Sequence, residues 1–351
     1  LEDAVGGLRA TFDKHGGLSP QACADYLEAE HGIATCTVNP ADAELAQYRN
    51  QSRYDPDSRT LSFLGNISMS TRRFQIVRLA ASLALADAIE AETREAPLVS
   101  TEAQGLARRA LSSYSAGAVI FPYDAFLETA DELRYDTDIL RQRFDASFEQ
   151  VCHRLATLRK PGCEGIPFAF MRADLAGYIT KRFPLPQLAL PYHGHGCPLW
   201  AIYQSFQTPN RIIRQLAAFP DGSRYVMIAR AETKRPGAFH EPPVQRAVML
   251  ACDALHADRT VYGDGLGRAR LPLVRTHPVP AQERRTDRRK SWPKVKNWRY
   301  RCFATAGRRR RGGPSTGTGR TGSRGRVHAN LDRRRRTAHR RVAELHPDAG
   351  G

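Results

Sequence analysis

Residues 72–82 read RRFQIVRLAAS, and this stretch decides how the fold of the whole chain is predicted. Four apolar side chains recur here at the spacing of one helical face: Phe74, Val77, Ala81 and Leu85. The pattern predicts an amphipathic helix from residue 72 to about 92. Ser70 or Thr71 can cap its start. Burial of the apolar stripe in a core is enough to explain this segment.

Further helix and strand signals lie on both sides of it. Ser19 and Pro20 form a helix start, with Ser as the cap and Pro in the first turn, and Gly32 ends that helix. Residues 33–38 and 59–64 have the pattern of strands. Two more helices are predicted over residues 101–120 and 141–158. The first is rich in small residues around Gly117, which allow close helix–helix approach.

The character of the sequence changes after Pro161. Short runs with β-type composition alternate with turn residues and predict a small antiparallel sheet: 168–171, 177–180, 199–206, 212–219 and 223–231. A last helix is predicted over residues 245–256 and a last strand over residues 261–263. The expected fold class is therefore α+β.

The charge of the chain changes abruptly near Arg268. Residues 269–351 hold 24 of the 53 Lys and Arg but only 5 of the 36 Asp and Glu, which makes this tail about +19 and residues 1–268 about −2. The tail contains no Ile and no Met, so it cannot bury enough apolar surface to fold and is predicted to be disordered. One hypothesis is that it binds nucleic acid without sequence preference and in a salt-sensitive way.

Cysteine usage and hydropathy bear on the compartment. The seven Cys show no CxxC pair and no regular spacing, which favours reduced thiols in a cytoplasm. The sequence shows no signal peptide and no apolar run of membrane length. Because the first residue is Leu1, we expect the N-terminus to be missing or processed. A cytoplasmic protein without membrane contact is expected.

The helix at residues 72–82 resembles the active-site helix of the ImmA/IrrE metallopeptidase-like family, which reads RRFxxAHExxH. In that family, two His four residues apart bind zinc and the Glu between them is the general base. The corresponding residues here are Arg78, Leu79 and Ser82. Because none of them can perform that chemistry, the resemblance implies a zinc-less peptidase-like domain with no catalytic residues. An intact zinc metallopeptidase is the alternative, which metal analysis would test.

Residues 114–126, YSAGAVIFPYDAF, look like the YxAxAxxxPYxxF continuation found in short-chain fatty-acyl-responsive bacterial regulators of the propionate and glyoxylate type. Residues 144–172 and 194–211 also fit this group, so the resemblance covers about residues 15–268. It implies a dimeric Xre-family transcriptional regulator that binds CoA or a short-chain acyl-CoA. The implied domains are a degenerate ImmA/IrrE-like domain (1–130), an acyl-sensing domain (131–268) and the Arg-rich tail (269–351).

Two departures from the family pattern matter. The family begins with an Xre/Cro-type helix-turn-helix, and none precedes residue 15, so this chain as given is not expected to bind operator DNA specifically. Family members end in a CxxCxxxxC-like stretch, linked in some of them to an iron–sulfur cluster. After Gly267 this sequence has only Cys302, so the cluster is not carried over. The tail is therefore also interpreted as an out-of-frame product of a GC-rich gene.

An acyl-CoA pocket needs an aromatic-lined cleft for the acyl and pantetheine arm and cations for the phosphates. The candidate ligand-binding residues are Tyr114, Tyr123 and Trp200 for the first and Arg172, Lys181 and Arg211 for the second. For any one of them alone, a place in the core or on the solvated surface is the simpler interpretation.

The loop HGHGC at residues 193–197 adds His195 to the candidates. Its alternate glycines predict a tight loop that lines the effector pocket. His193, His195 and Cys197 can also be read as metal ligands. No fourth ligand is identifiable, so no metal site is predicted.

Overall fold

The computed structural model describes residues 1–39, 52–185, 188, 190, 196–219, 221–235 and 244–266, and the backbone of three short strands beyond them. Residues 1–303 form one compact unit, and residues 304–351 a second unit that lies outside the described residues. The helices are α1 (Glu2–Lys14), α2 (Pro20–His31), α3 (Met69–Ala84), α4 (Ala86–Glu95), α5 (Thr101–Ile120), α6 (Tyr123–Glu132), α7 (Thr137–Arg143), α8 (Phe148–Ala156) and α9 (Ala201–Gln204).

The strands are β1 (Ala34–Val38), β2 (Ser52–Asp55), β3 (Thr60–Leu64), β4 (Ala169–Asp174), β5 (Ile179–Phe183), β6 (Ile213–Ala218), β7 (Arg224–Arg235), β8 (Val244–Asp253), β9 (Val274–Arg275), β10 (His277–Pro278) and β11 (Tyr300–Arg301). Together the elements confirm the α+β prediction. No helix in the described ranges combines the length and hydropathy needed to cross a membrane.

The first half of the fold packs helices on a three-stranded sheet of order β1-β3-β2, in which β1 and β3 are parallel. The Ser19 hydroxyl caps α2 by accepting from the Ala22 amide at 3.1 Å, and Gly32 ends α2 in the left-handed conformation at φ 60°. One core joins these elements through Phe12, Leu27 and Phe63. The predictions of α2, β1 and β3 are thus confirmed.

The helix predicted over residues 72–92 is wrong in its length. The structure divides it at Leu85 into α3 and α4, and Leu85 is the C-cap of one and the N-cap of the other. The buried stripe of α3 packs against α5, whose buried Ala116 and Ala118 allow the close approach that the small residues indicated. The hydrophobic spacing continues across Leu85, so the apolar pattern alone could not reveal the break.

Arg73 anchors α3 to the segment between α7 and α8. Its side chain is buried, and its Nη2 donates to the backbone carbonyls of Phe144 and Asp145, both at 2.7 Å. Gln150 on α8 donates in turn from Nε2 to the Ser70 carbonyl at 3.2 Å. These bonds fix α8 against the start of α3.

We expect an Arg73→Met variant to lower the free energy of unfolding by about 2 kcal/mol, because two partly buried hydrogen bonds from a buried guanidinium would be lost. Urea denaturation followed by circular dichroism would measure this loss. The exposed Arg143 provides a matched control, and Arg143→Met should change stability by less than about 0.5 kcal/mol. Equal stabilities for the two variants would contradict the anchoring role.

The second half is built on a six-stranded sheet of order β5-β4-β8-β7-β6-β9. Its pairs are antiparallel except for β6 and β9, which are parallel. One face carries Phe170, Ile228 and Leu250 and packs against α8. The opposite face carries Met227 and Met249 and packs against α9. The sheet therefore separates two hydrophobic cores.

The helix predicted over residues 245–256 is wrong, because this segment forms the central strand β8. Its side chains are buried on both faces: Val248, Leu250 and Cys252 on one, and Ala247, Met249 and Ala251 on the other. A strand buried on both faces loses the alternation of apolar and polar residues that identifies a strand. Its alanine content then favours the helical interpretation.

Three other segments also differ from prediction. The helix predicted over residues 141–158 is divided into α7 and α8 by a turn in which Asp145 has a φ of 46°. The strand predicted over residues 199–206 is α9 followed by a 3-10 turn, and the Ala201 amide at its start donates to the Gln215 side chain at 2.9 Å. Residues 261–263 form a 3-10 turn. In α9 the deciding contact comes from Gln215, which lies outside the predicted element.

The predicted domain boundary at residue 130 falls inside a continuous core. Phe121 and Phe126 share one cluster with Phe148 of α8 and Phe170 and Leu250 of the sheet. The predicted disorder of residues 269–351 falls outside the described residues, apart from the backbone of β9, β10 and β11. The boundary and the disorder both stay predictions.

Candidate functional site

Helix α8 carries the polar residues of a cavity between α3, α5 and the six-stranded sheet. A capping box begins the helix: the Ser147 hydroxyl accepts from the Gln150 amide at 3.2 Å, and Gln150 Oε1 accepts from the Ser147 amide at 2.9 Å. Four side chains of α8 are buried in the core: Phe148, Val151, Cys152 and Leu155. Glu149 and His153, four residues apart, lie on the face of the helix that lines the cavity.

The sheet face that meets α8 changes from apolar to charged along its strands. Arg172 follows Phe170 by two residues on β4, and Arg246 precedes Leu250 by four on β8. Lys181 of β5 pairs directly with Arg172 across the ladder. Because side chains two apart on a strand share a face, the apolar core continues directly into the charged cavity.

The cavity has a volume of about 340 Å³. This lies within the range of small-molecule sites, toward the smaller end. Its apolar wall includes Phe74 of α3, Gly117 of α5 and Phe121. Its charged wall is formed by α8 and the sheet.

The charged wall is strongly basic. Five cations line the cavity: Arg154, Arg172, Lys181, Lys234 and Arg246. Among the described residues that line it, Glu149 is the one carboxylate. Glu149 accepts from Arg172 at 2.7 Å and lies 3.6 Å from Lys234. Burial opposes its ionisation, but the nearby cations outweigh burial and lower the pKa of Glu149 to about 2.

Lys181 and Arg246 are the two cations of the charged wall whose side chains are available to bind a ligand. Over the described ranges, neither forms an ion pair within 4.0 Å or a side-chain hydrogen bond. Burial lowers the pKa of Lys181, and the charge of Arg172 adds to this effect, while Glu149 opposes it. Two partly buried cations without a paired carboxylate favour an anionic ligand.

His153 lies between this charge and the aromatic core. Its ring meets Phe183 edge-on at a centroid distance of 4.8 Å and Phe170 at 5.6 Å. Burial, reinforced by the charge of Lys181, lowers the pKa of His153 to about 3. The imidazole is therefore neutral at neutral pH and adds no further positive charge to the cavity.

Arg154 completes one wall through a contact from the start of the fold. It is 2% exposed and donates to Glu2 of α1 at 2.9 Å and to the Phe121 carbonyl at 3.0 Å. Tyr114 also donates to Glu2, and its ring lies 5.7 Å from the Arg154 guanidinium. The first turn of α1 therefore helps to position two side chains that line the cavity.

The cavity brings together three of the seven residues predicted to bind a ligand: Tyr114, Arg172 and Lys181. Tyr123 lies outside it and holds the loop after α8, accepting from the Lys160 amide at 2.8 Å and donating to the Cys163 carbonyl. Arg211 is exposed in the turn before β6. His195 lies outside the described residues. For Tyr123 and Arg211 a ligand-binding role stays a prediction that the cavity does not support, and the role of His195 stays a prediction.

Trp200 lies on the other side of the sheet from the cavity, fully buried in the core around α9. A Cβ atom on Gly196 would lie 3.0 Å from the Trp200 ring, and the Gly196 amide donates to the Tyr203 hydroxyl at 2.7 Å. The close approach at this glycine is therefore made by a tryptophan side chain. The lining of an effector pocket by the HGHGC loop is not tested, since residues 191–195 are not described.

Sequence reasoning missed Glu149, His153, Arg154, Lys234 and Arg246. Arg246 was hidden because its segment was interpreted as a helix. The spacing of Glu149 and His153 was visible, but nothing in the sequence indicates which face of α8 meets the sheet.

The three positions that correspond to zinc chemistry in the peptidase family do not fit a metal. Arg78, Leu79 and Ser82 line a separate cleft, and their side chains supply no carboxylate, imidazole or thiolate. Among the described residues no group of three or more His, Cys, Asp or Glu is placed to hold a metal ion.

Two family models match consecutive parts of the chain. Residues 29–156 match the IrrE N-terminal-like domain, and residues 157–275 match the short-chain fatty acyl coenzyme A regulator, C-terminal. The two matches meet at the end of α8. The cavity is formed by helices from the part that matches the IrrE N-terminal-like domain and by strands from the part that matches the regulator domain.

Relatives and a solved structure agree with these matches. The propionyl-CoA carboxylase regulator of Cereibacter sphaeroides is 44% identical over 196 residues, covering 56% of this chain and 42% of the relative. The HTH-type transcriptional regulator PrpR of Mycobacterium tuberculosis is 41% identical over 218 residues, covering 61% and 44%. This chain therefore spans less than half the length of these curated relatives. A solved Mycobacterium tuberculosis transcriptional regulator has a TM-score of 0.66 at 35% identity, covering 76% of this chain and 80% of that one.

Proposed function

Because this chain belongs to the family of short-chain fatty acyl coenzyme A regulators, we propose that it is the effector-sensing part of a transcriptional regulator of short-chain acyl metabolism. The proposed effector is CoA or a short-chain acyl-CoA. It binds in the cavity between α8 and the sheet, and the protein performs no catalysis on it.

The observation that carries this proposal is the pairing of an apolar wall with unpaired cations. Phe74, Gly117 and Phe121 suit an acyl chain, while Lys181 and Arg246 suit phosphate oxygens. A cavity of about 340 Å³ takes one end of a molecule as large as an acyl-CoA. We place the rest of the ligand at the mouth of the cavity.

Calorimetric titration of the full chain with CoA, acetyl-CoA and propionyl-CoA tests the proposal. We expect saturable binding, and we expect Lys181→Gln to weaken it about tenfold or more, since a charge-assisted hydrogen bond contributes about 1.5–3 kcal/mol. Lys14→Gln, an exposed position on α1, is the matched control and should bind like wild type. Absence of binding by all three compounds at millimolar concentration would contradict the proposal.

Control of transcription would follow from a shift between two states of a homodimer. An effector that binds one state more tightly moves the equilibrium toward it, by no more than its difference in affinity. Operator DNA would be contacted by a helix-turn-helix segment outside residues 1–268. A cytoplasmic location is proposed on the same grounds, since transcriptional regulators act where the DNA is.

A further inference from the structure

A second cleft lies further along the α3–α5 pair, at α3 residues that follow those lining the first cavity. It has a volume of about 570 Å³, is bounded by α3, α4 and α5, and shares no lining residue with the first cavity. Arg78, Leu79 and Ser82 all line it. The cleft thus occupies the positions where the peptidase family has its zinc chemistry.

Arg78 brings a charge into this cleft without a partner for it. Its Nε donates to Gln75 Oε1 at 2.9 Å, and over the described residues it makes no other side-chain hydrogen bond and has no carboxylate within 4.0 Å. Burial lowers the pKa of Arg78, and no neighbouring charge opposes the effect. A partly buried guanidinium with its remaining donors unused is costly unless an anion meets it.

The other polar groups of the cleft are already engaged or exposed. Glu90 accepts from Arg108 at 2.7 Å and pairs with Arg94 at 3.3 Å, so its charge is balanced. The hydroxyls of Ser82 and Ser112 donate to backbone carbonyls of their own helices. Asp87 is exposed to solvent. Arg109 also lines the cleft but is exposed to solvent, so Arg78 is the partly buried donor that remains available.

Apolar side chains stand beside this donor. Leu79 and Ile89 line the same cleft, and Ile89 is buried. A guanidinium matches the two oxygens of a carboxylate, and adjacent apolar surface suits a short hydrocarbon chain. We propose that this cleft binds a small aliphatic carboxylate, with Arg78 holding the carboxylate and with Leu79 and Ile89 against the chain. Inorganic phosphate shares the oxyanion chemistry but has no apolar part.

Titration of the full chain with sodium propionate and with sodium phosphate, against sodium chloride at matched ionic strength, tests the inference. We expect propionate to bind at one site by calorimetry and to raise the melting temperature, because a ligand that binds only the folded state stabilises it. Phosphate should bind more weakly. Arg78→Met should weaken propionate binding at least tenfold, and because it also removes the donor to the buried Gln75 Oε1, its ligand-free melting temperature serves as the baseline for its own titration.

Two further variants sharpen the test. Arg78→Lys keeps the charge but loses the fork of donors, so it should fold and bind propionate more weakly than wild type. Arg143→Met, an exposed Arg outside the cleft, should bind like wild type. No effect of propionate beyond that of chloride, tighter binding of phosphate than of propionate, or unchanged binding by Arg78→Met would each overturn the inference. These outcomes do not depend on whether the first cavity binds acyl-CoA.

Discussion

A Glu149→Gln variant is expected to unfold with a free energy about 3 kcal/mol lower than wild type at neutral pH. The cations around the cavity lower the pKa of Glu149 from 4.5 to about 2 despite its burial. Each unit by which the folded-state pKa lies below the unfolded-state pKa stabilises the fold by about 1.4 kcal/mol at neutral pH. The lowered pKa of Glu149 therefore contributes about 3 kcal/mol. Removing the carboxylate leaves Arg172 and Lys234 without their shared partner.

The sign of the pH dependence follows from the lowered pKa. Below pH 4.5 the unfolded chain takes up a proton at Glu149 that the folded protein does not, so this contribution is lost as the pH falls toward 2. Urea denaturation of wild type and Glu149→Gln across this range should therefore show the two stabilities converging. Glu128→Gln, at an exposed position on α6, serves as control and should remain within about 0.5 kcal/mol of wild type. A constant difference at all pH values would contradict the electrostatic explanation.

His153 is expected to make the protein sensitive to mild acid. Its pKa is lowered from 6.5 to about 3, mainly by burial, so the unfolded chain binds a proton below pH 6.5 that the folded protein excludes. Folding stability should therefore fall as the pH drops from 6.5 toward 3. Between pH 6.5 and 4.5, where Glu149 does not yet contribute, the expected loss is about 3 kcal/mol.

The His153→Gln variant isolates this effect, because glutamine cannot take up the proton. Its stability, measured by urea denaturation at several pH values between 6.5 and 4.5, should change much less with pH than that of wild type. The comparison uses the slope with pH, so any packing change introduced by the substitution cancels. His256→Gln, away from the cavity, should keep the wild-type slope. An unchanged slope in His153→Gln would show that other groups cause the acid sensitivity.

The helices that the sequence predicted well are those with one buried face. In α2 and α5 a stripe of buried residues alternates with exposed ones, and a serine cap marks each start. The prediction for the segment of β8 failed because burial on both faces removes the contrast between buried and exposed side chains. The break before α8 had a readable signal in Ser147 and Gln150, whose spacing matches a capping box. The apolar spacing continues across this break, which is why a single helix was predicted over residues 141–158.

The site was predicted less completely than the fold. Arg172 and Lys181 lie on neighbouring strands, each one residue beyond a predicted β-type run, and they were selected as cations that suit phosphate groups. Glu149 and Arg246 line the same cavity although about a hundred residues separate them, and local patterns carry no information about such proximity. Trp200 lies apart from this cavity, so its ligand-binding role stays a prediction. Its size suits a ligand cleft, but the same size fills the core on the opposite face of the sheet.

The contact that Glu2 makes with Arg154 and Tyr114 gives the start of α1 a mechanical role. Glu2 belongs to the first turn of a regular helix, and its carboxylate bonds directly to two side chains of the cavity wall. A displacement or twist applied at the beginning of α1 is thus transmitted to that wall through a helix and two hydrogen bonds, with no flexible loop between them.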